Sequence, residues 1–403
     1  MQYLYNIVIR LYGAVIGVVA LFSSKAQKRH IGGRAALRYL KKKIDPNVSY
    51  VWFHAASLGE FEQGRPLMEA LKRKRPDAKI LLTFFSPSGF EIRKNYEGAD
   101  AVCYLPLDTP ENVSNFFEIV NVQCAIFIKY EFWANYLKKL RELKIPTYLV
   151  SGVFREKQMF FRPSGKFFRT MLMSFTRMFV QDVSSKNLLA SIGLTNVDVA
   201  GDTRFDRVIE IAGRAQRLPI VEAFAEGAQV LVVGSSWEPD EDLLLRYINN
   251  NREKKMIIAP HEISANRIES ICGKLRRTFA LYTETNVQEV KKADCLIINT
   301  VGILSAVYQY GQLAYIGGGF GAGIHNTLEA ATWQIPVVFG PNYHKFKEAQ
   351  GLIDAGAGFS IASYRHLEDT INALFFDKEA GKKAADYVRA NAGATEFIVN
   401  EIF

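Results

Sequence analysis

Short apolar segments alternate with longer amphipathic ones along most of the chain, and no other feature constrains the fold as strongly. A first series comprises Tyr50–His54, Lys79–Phe84, Ala101–Tyr104, Cys124–Ile128, Thr147–Val150 and Met178–Gln181. A second series comprises Gln229–Gly234, Lys255–Ala259, Cys295–Asn299, Leu313–Ile316 and Pro336–Phe339. Such alternation is typical of parallel sheets with helical crossovers. It predicts an α/β protein with two doubly wound, Rossmann-like domains that face a central cleft at the carboxyl ends of both sheets.

The boundary between the two series lies in a polar, helical stretch from residue 207 to 226. A chain of 403 residues is long enough for two domains of ordinary size. We predict an amino-terminal domain over 49–210, a linker over 211–226 and a carboxy-terminal domain over 227–381. Residues 382–403 are predicted to form helices that pack across the domains.

The amino terminus combines an apolar segment with a basic one. Residues Tyr3 to Phe22 are almost wholly apolar, interrupted mainly by Asn6 and Arg10. About 20 helical residues span roughly 30 Å, close to the hydrocarbon thickness of a bilayer. Eight basic residues and no acid follow: Lys25, Lys28, Arg29, Arg34, Arg38, Lys41, Lys42 and Lys43.

This pairing matches the positive-inside pattern and attracts anionic lipid. It predicts a membrane-anchor helix over residues 1–24, which either spans the bilayer or lies in its interface. A basic linker or helix over 25–48 follows, with the remaining chain on the cytoplasmic side. The alternative is a buried core helix followed by a solvated basic face.

Composition narrows the class of protein. Hydrophobic residues make up 49% and charged residues 23% of the chain, which is typical of a globular protein. The four cysteines show no CxxC spacing, so neither a zinc site nor a disulfide framework is predicted. The net charge of +9 is concentrated beside the apolar helix rather than along a nucleic-acid-binding motif. Nucleic acid is therefore not an expected partner.

Three candidate catalytic side chains lie in the first series. Glu60 follows the first strand, after the small residues Ser57 and Gly59, where a carboxylate can take a proton from an attacking hydroxyl. Its alternative role is to satisfy a helix dipole. Glu131 follows the fourth strand, with the same alternative. Arg204 can stabilise the charge of a leaving phosphate or form a surface salt bridge with Asp206.

In the second series, a glycine run at 317–319 precedes the segment Gly323 to Glu329. A glycine loop that opens onto a helix near Asn326 presents backbone N–H groups to an anion such as phosphate. Glu329, in the first turn, can accept two hydroxyls of a ribose. This ordered set predicts a nucleotide-sugar site in a glycosyltransferase.

Other strand ends of the second series point to the same place. Ser235 follows the first strand, in a turn that resembles a phosphate-binding loop, and Pro260 and His261 follow the second. Val301, Gly302 and Ile303 follow another strand, where a glycine allows close approach of a base or ribose. The histidines in these loops lack metal-ligand spacing, so no metal is predicted.

These motifs, taken in order, resemble bacterial 3-deoxy-D-manno-octulosonic acid (Kdo) transferases. The matching segments are HAASLGE (54–60), KYEFWAN (129–135), GDTRFD (201–206), GSSWE (234–238), APHE (259–262), GIHNTLEA (323–330) and PVVFGP (336–341). The resemblance implies a GT-B fold. It also implies inverting, metal-independent transfer of Kdo from CMP-Kdo to a lipid A precursor at the cytoplasmic face of the inner membrane.

The resemblance also assigns roles to single residues. It places the proton acceptor on Glu60, a group that helps hold the transition state on Glu131, and the basic residue before Phe-Asp on Arg204. It places CMP against Pro260 and His261, Val301 to Ile303, and the set Asn326, Thr327, Leu328 and Glu329. No cofactor is implied, and the implied partners are CMP-Kdo, the lipid A precursor and an anionic membrane surface.

Four positions depart from the family pattern. Many relatives carry Arg at His261, Lys at Arg204, His at Trp237 and Glu at Ile303. Two other functions stay open: a GT-B glycosyltransferase of cell-envelope synthesis that uses a UDP-sugar, and a non-catalytic nucleotide-sugar or polyanion-binding protein.

Overall fold

The computed structural model describes residues 1–375 and 377–403, and the chain divides into two compact units. Unit 1 comprises Met1–Arg207 together with Ala392–Phe403, and unit 2 comprises Val208–Asn391. The segment predicted as a linker, 211–226, contains the end of one helix and a second short helix in which Val221 and Phe224 are buried. The last 22 residues divide between the units, since the chain returns to unit 1 after Asn391.

Unit 1 contains a seven-stranded parallel sheet flanked by helices. Its strands are β1 (Tyr50–Ala55), β2 (Lys79–Phe84), β3 (Ala101–Tyr104), β4 (Val122–Ile128), β5 (Thr147–Gly152), β6 (Arg177–Val180) and β7 (Val197–Val199). Its helices are α1 (Gln2–Val19), α2 (Ser24–Lys43), α3 (Leu58–Lys74), α4 (Pro87–Arg93), α5 (Pro110–Ile119), α6 (Ala134–Glu142), α7 (Lys166–Leu172), α8 (Val183–Ala190), the first part of α9 (Thr203–Gly213), and the last helix of the chain (Ala394–Ile402).

The order of the strands is β3-β2-β1-β4-β5-β6-β7, so the sheet changes direction between β1 and β4. Every residue of β1 is buried, as expected for a central strand covered on both faces. Alternate residues of β1 serve the two faces: Trp52 belongs to one hydrophobic cluster and Phe53 to the other. The point where the strand order reverses is where doubly wound sheets bind their ligands.

Unit 2 repeats the plan with a second seven-stranded parallel sheet. Its strands are β8 (Gln229–Ser236), β9 (Lys254–Pro260), β10 (Phe279–Leu281), β11 (Cys295–Ile297), β12 (Leu313–Ile316), β13 (Val337–Phe339) and β14 (Gly358–Ser360). Its helices are α10 (Pro219–Ala225), α11 (Glu238–Asn250), α12 (Ala265–Lys274), α13 (Leu304–Val307), α14 (Leu328–Ala331), α15 (Lys347–Asp354), α16 (Tyr364–Leu374) and α17 (Lys378–Ala390). The strand order is β10-β11-β9-β8-β12-β13-β14, which reverses between β8 and β12. The last helix of the chain, α18 (Ala394–Ile402), belongs to unit 1.

The predicted α/β class and the two parallel sheets are confirmed, and every predicted strand lies within or overlaps an observed one. Three strands were missed: β7, β10 and β14. Each has three residues and lies at an edge of its sheet, where one side has no neighbour. Edge strands this short do not form the continuous apolar runs that mark the central strands.

Helix α1 docks one face on unit 1 and leaves the other exposed. Tyr5 donates a hydrogen bond to Asp108 at 2.6 Å, and both Gln2 and Asn6 bond to the side chain of Asn135. Ile9 on the same face is buried. The opposite face presents large apolar side chains to the surface: Tyr3, Leu4, Ile7, Val8, Leu11, Val15, Val18 and Val19. Among the described residues, α1 is the one helix whose length and composition would allow it to cross a membrane.

Asp108 is the buried acid that ties α1 to the domain. Its carboxylate accepts hydrogen bonds from the Tyr5 hydroxyl and from the backbone N–H groups of Asn135 and Tyr136, both at 3.0 Å. Burial raises the pKa of Asp108 to about 7, and these three bonds offset part of that rise. The sequence analysis did not identify this residue, because its partners lie far away in the chain.

The pKa of Asp108 predicts a pH-dependent stability. The folded state holds the proton more tightly than the unfolded state, so the carboxyl contributes stability that is complete below about pH 4 and lost as the pH rises through about 7. We expect the free energy of unfolding, relative to a non-titrating Asp108→Asn variant, to fall by at most about 4 kcal/mol over that range. Denaturant titrations of both proteins at a series of pH values measure this difference in the free energy of unfolding. A difference that stays constant or grows with pH would contradict the assignment.

Candidate functional site

Two candidate carboxylates follow neighbouring strands of unit 1. Glu60 lies in the first turn of α3, directly after β1, and Glu131 follows the end of β4. Strands β1 and β4 pair in parallel, and the strand order reverses between them. The sheet therefore places both carboxylates at its switch point.

The Glu60 carboxylate is oriented by the residue that caps its helix. The hydroxyl of Ser57, at the N-cap position of α3, donates a hydrogen bond to Glu60 Oε2. Gly59 lies between them in sequence and is exposed. The Glu60 side chain is partly exposed, and its charge contributes to the raised pKa of Tyr130, for which burial is the main cause. This leaves a carboxylate that is fixed in position but accessible to a substrate hydroxyl.

Glu131 is held by two ring N–H groups. His54 Nε2 lies 3.1 Å and Trp133 Nε1 2.9 Å from the same oxygen, Glu131 Oε2. Trp133 and the neighbouring Phe132 both pack against the hydrophobic core of unit 1. Trp133 therefore joins the core to the candidate site, because its ring N–H also donates to Glu131.

His54 has a role that the sequence does not reveal. It lies within β1, as predicted, and is fully buried. Its Nδ1 lies 2.8 Å from the hydroxyl of Thr83, the residue opposite it on β2. Because the Glu131 carboxylate can only accept a hydrogen bond, His54 Nε2 is the donor of this pair. His54 is thus a positioning residue that fixes Glu131.

Arg204 is held by Asp202, two residues before it. Its Nε and Nη2 atoms lie 2.9 and 2.7 Å from Asp202 Oδ2, and Asp202 is buried. Asp206, the partner considered in the sequence analysis, accepts hydrogen bonds from the backbone of Gly393 and Thr395 at the start of α18. The Asp202 pair fixes the direction in which the guanidinium points.

In unit 2, the glycine run serves close backbone packing. A Cβ atom on Gly317 would lie 2.3 Å from the Ser235 carbonyl oxygen, and one on Gly319 2.5 Å from the Gly340 backbone. The backbone N–H of Gly318 donates to the buried Asp240 at 2.8 Å. Other N–H groups of the loop bond to backbone oxygens, namely those of Gly317, Gly321, Gly323 and His325. The predicted open cradle of N–H groups was therefore wrong for these positions.

The helix expected near Asn326 is a single turn, α14, which begins at Leu328 after a buried Thr327. Its macrodipole is correspondingly small, since the dipole grows with the number of aligned peptides. Glu329 lies in this turn, as predicted. Asn326 Nδ2 donates to Glu329 Oε1 at 3.0 Å, and the Ser305 hydroxyl donates to Oε2. Ser305, which was not predicted from the sequence, thus helps to orient Glu329, the residue predicted to bind the ribose.

Three aromatic rings stack beside this turn. His261 stacks on both Trp237 and His325, with its ring centroid 4.5 Å from each, and the centroids of those two rings lie 6.5 Å apart. Trp237 Nε1 donates to His325 Nε2 at 3.0 Å, so that nitrogen is unprotonated. Burial lowers the pKa of His325, and the neighbouring His261 lowers it further. His325 is therefore uncharged at neutral pH, and the stacked rings are suited to pack against a planar base or a sugar.

The remaining predicted residues of unit 2 lie at or after the carboxyl ends of the parallel strands β8, β9 and β11. Ser235 lies in β8 with a positive φ of 52°, and Pro260 ends β9. Val301 and Gly302 follow β11 and are exposed, while Ile303 is partly buried. In the described part of the chain, no group of three or more His, Cys, Asp or Glu residues is arranged to hold a metal ion.

Known proteins resemble this chain along most of its length. The model of the family described as 3-deoxy-D-manno-octulosonic-acid transferase (kdotransferase) matches residues 28–207. The chain is 27% identical to the 3-deoxy-D-manno-octulosonic acid transferase of Aquifex aeolicus over 336 residues, which is 82% of this chain and 87% of the relative. It is 24% identical to the enzyme of the same name from Chlamydia muridarum, over 84% of this chain and 81% of the relative.

Among solved structures, UDP-GlcNAc 2-epimerase from Neisseria meningitidis aligns with a TM-score of 0.61 and 15% identity, covering 87% of this chain and 98% of that one. At this identity the likeness shows the fold alone, two Rossmann-like units in one chain as in the GT-B class. The matches to the named transferases extend through both units and include Glu60, Glu131 and Arg204 within the range of the family model. The chain is therefore similar to named Kdo transferases over more than four fifths of its length, and residues 28–207 match the model of that family.

Proposed function

We propose that this enzyme transfers Kdo from CMP-Kdo to a lipid A precursor, with inversion at the anomeric carbon. The observation that carries the proposal is the placement of Glu60 and Glu131 after the adjoining strands β1 and β4, within the range matched by the family model. A GT-B fold alone would support many sugar transfers, because function depends on the site and not on the fold.

The residues of unit 1 are proposed to act on the acceptor and the leaving group. Glu60, held by Ser57, accepts the proton of the acceptor's sugar hydroxyl as that oxygen attacks the anomeric carbon of Kdo. The bond from that carbon to the CMP phosphate breaks, and both electrons leave with the phosphate. Arg204 offsets the resulting negative charge. Glu131, fixed by His54 and Trp133, stabilises positive charge that develops on the sugar ring.

The residues of unit 2 are proposed to hold the nucleotide. Glu329 accepts hydrogen bonds from the ribose hydroxyls, and Asn326 and Ser305 orient its carboxylate. The stack of Trp237, His261 and His325 packs against the cytidine or its ribose. His261 replaces a residue that is Arg in many relatives, and a neutral ring gives a weaker phosphate contact than a guanidinium. The reaction is proposed to need neither metal nor cofactor, and this stays a prediction.

Competition between nucleotides tests the donor. We expect CMP to inhibit transfer, or to displace a labelled cytidine nucleotide, at concentrations at least tenfold lower than UMP or UDP. Stronger displacement by UDP would favour a UDP-sugar transferase, the second function considered. Nucleotide binding without any turnover of CMP-Kdo in the presence of acceptor would favour a non-catalytic binding protein.

We further propose that α1 lies in the interface of the inner membrane, on the cytoplasmic side. Its docked face bonds to unit 1 through Gln2, Tyr5 and Asn6, and these polar contacts are incompatible with a helix surrounded by lipid. Its exposed face is apolar, and α2 follows with its basic side chains. An apolar face beside a basic helix is typical of interfacial binding to anionic lipid.

Two matched double variants test the membrane proposal. We expect Val8→Ser with Leu11→Ser to weaken binding to phosphatidylglycerol vesicles about tenfold or more, because two exposed apolar side chains no longer enter the interface. The control is Ile92→Ser with Val183→Ser, a similarly exposed apolar pair elsewhere in unit 1. Sedimentation with vesicles measures both. Equal binding by the two variants would show that the exposed face of α1 does not bind the membrane interface.

A further inference from the structure

A basic cavity lies in unit 1 between α1, α2 and the segment that follows β3. Its volume is about 520 Å³. Four basic side chains line it: Arg10, Arg29, His30 and Arg34. Its apolar lining includes Ile16, Leu37 and Leu107. Arg10 pairs with Glu111, and Thr109 and Asn112 add polar groups to the wall. A cavity that places arginine side chains beside apolar ones is suited to an anion that carries hydrocarbon.

Arg29 is the unusual member of this group, because its charge is buried without an acidic partner. The side chain is only 7% exposed, and in the described part of the chain no carboxylate oxygen lies within 4 Å of it. Nη2 donates to the carbonyl oxygen of Leu105 at 3.0 Å, while Nε has no hydrogen-bond partner. Burial lowers the pKa of Arg29. A buried cation is costly unless it is paired, so this arrangement points to an anion that the protein itself does not supply.

The helix is shaped around this guanidinium. Gly32 and Gly33 lie in the middle of α2, where each glycine costs roughly 1 kcal/mol relative to alanine. A Cβ atom on Gly33 would lie 2.1 Å from Arg29 Nη1, and one on Gly32 would lie 2.3 Å from the ring of Tyr104. The two glycines therefore allow the guanidinium and the ring to approach the helix backbone. On α1, Gly17 packs on His30 in the same way.

The cavity is close to both the exposed face of α1 and the candidate site. The Arg29 guanidinium lies 4.4 Å from the ring centroid of Phe85, and Phe85 lies 4.7 Å from the ring of Trp133. Trp133 in turn donates to Glu131. One aromatic side chain thus separates the cavity from the residues that hold Glu131. On the other side, Ala14 of α1 lines the cavity, and its neighbours Leu11 and Val15 are exposed apolar residues.

We propose that this cavity is a binding site for the phosphate group of an amphiphile, with Arg29 and Arg34 as its cationic ligands and the apolar wall against the adjoining hydrocarbon. Guanidinium groups suit phosphate because their planar donors match its oxygens. The chemistry is shared by a membrane phospholipid, a phosphorylated glycolipid and free phosphate, so the test must separate them. The inference does not depend on the proposed reaction, because binding is measured without CMP-Kdo.

The probes are dihexanoylphosphatidic acid below its micelle concentration, dihexanoylphosphatidylcholine and inorganic phosphate, each titrated calorimetrically into the full chain. We expect the phosphatidic acid to bind at least tenfold more tightly than either of the others, because it alone offers an anionic phosphate and a hydrocarbon tail. A phosphorylated lipid A precursor that competes with it would identify the glycolipid as a second ligand. Equal affinity for inorganic phosphate would overturn the amphiphile part of the proposal.

Two arginines on α2 form a matched pair for mutation. Arg34 lines the cavity, while Arg38, one turn further along and also exposed, does not. We expect Arg34→Ala to weaken phosphatidic acid binding about 10- to 100-fold, since it removes a charged hydrogen bond, and Arg38→Ala to change it less than twofold. Equal effects of the two variants would mean that phosphatidic acid binds a diffuse basic surface, and this would overturn the proposed site.

Arg29→Met separates a ligand-binding role from a structural one. Methionine keeps much of the apolar stem but removes the unpaired charge. If Arg29 serves a ligand, the variant should lose binding while the melting temperature of the unliganded protein stays the same or rises. If the contacts with Leu105 and Phe85 are its purpose, the melting temperature should fall and binding should survive at temperatures where the variant is folded. That second result would overturn the role of Arg29.

Discussion

Replacing Glu60 with glutamine is expected to lower the rate of Kdo transfer by about 10²- to 10⁴-fold while the protein folds normally. Glutamine keeps the shape of the side chain and can still accept the hydrogen bond from Ser57, but it cannot take a proton from the acceptor hydroxyl. The loss should appear in kcat, with little change in donor binding, because Glu60 is in unit 1 and the proposed nucleotide ligands are in unit 2. Steady-state assays with both substrates varied measure the effect.

Glu62→Gln is the matched control for this variant. Glu62 lies on the same helix, two residues further on, pairs with Arg93 at 2.8 Å and lies 3.7 Å from Arg207. Its loss weakens two ion pairs, so stability should fall by no more than about 2 kcal/mol and transfer should be nearly unaffected. Near-native turnover of Glu60→Gln would show that Glu60 is not the catalytic base. Equal losses in both variants would indicate a structural effect of the helix.

Replacing Arg204 with methionine is expected to lower kcat about 10²- to 10³-fold, the usual cost of losing one group that stabilises developing charge. Lysine at this position should retain more activity, because it keeps the positive charge without the two-point contact of the guanidinium. The expected order of kcat is therefore arginine, lysine, methionine. Measurements on the three proteins under saturating donor give this order directly.

A structural effect of Arg204→Met must be separated from the catalytic one. The guanidinium neutralises Asp202, a buried acid whose other donors among the described residues are the backbone N–H of residue 204 and the Gln63 amide. Leaving a buried charge unpaired destabilises the fold. Adding Asp202→Asn should restore the melting temperature but not the activity. Recovery of transfer in that double variant would show that Arg204 acts through stability and not on the leaving phosphate.

Central strands were predictable from the sequence because both faces of such a strand are buried. Trp52 and Phe53 lie in hydrophobic clusters on opposite sides of the sheet, so β1 appears as one uninterrupted apolar run. Edge strands gave no such run: in β10, Phe279 is exposed and its two successors are half-buried. The glycine loop was misread for a related reason. Glycine that admits a neighbouring backbone and glycine that frees N–H groups for phosphate look the same in a sequence.

The candidate residues were predictable where they follow strands, since parallel topology brings strand ends together. Glu60 and Glu131 are 71 positions apart in sequence, but the pairing of β1 with β4 places them at one edge of the sheet. The residues that orient them were not predictable, because their partners lie on other elements. His54 acts on Glu131 across the sheet, Ser305 acts on Glu329 from another helix, and Asp108 anchors Tyr5 of α1.

The most direct test of the central claim is the mass of the lipid product. The full-length protein in detergent would be incubated with a lipid A precursor and with CMP-Kdo generated in situ, and the lipid would then be analysed by mass spectrometry. The proposed function predicts a gain of one or more Kdo units, absent when Glu60→Gln replaces the wild type. An unchanged lipid mass, with intact CMP-Kdo shown to be present throughout, would contradict it.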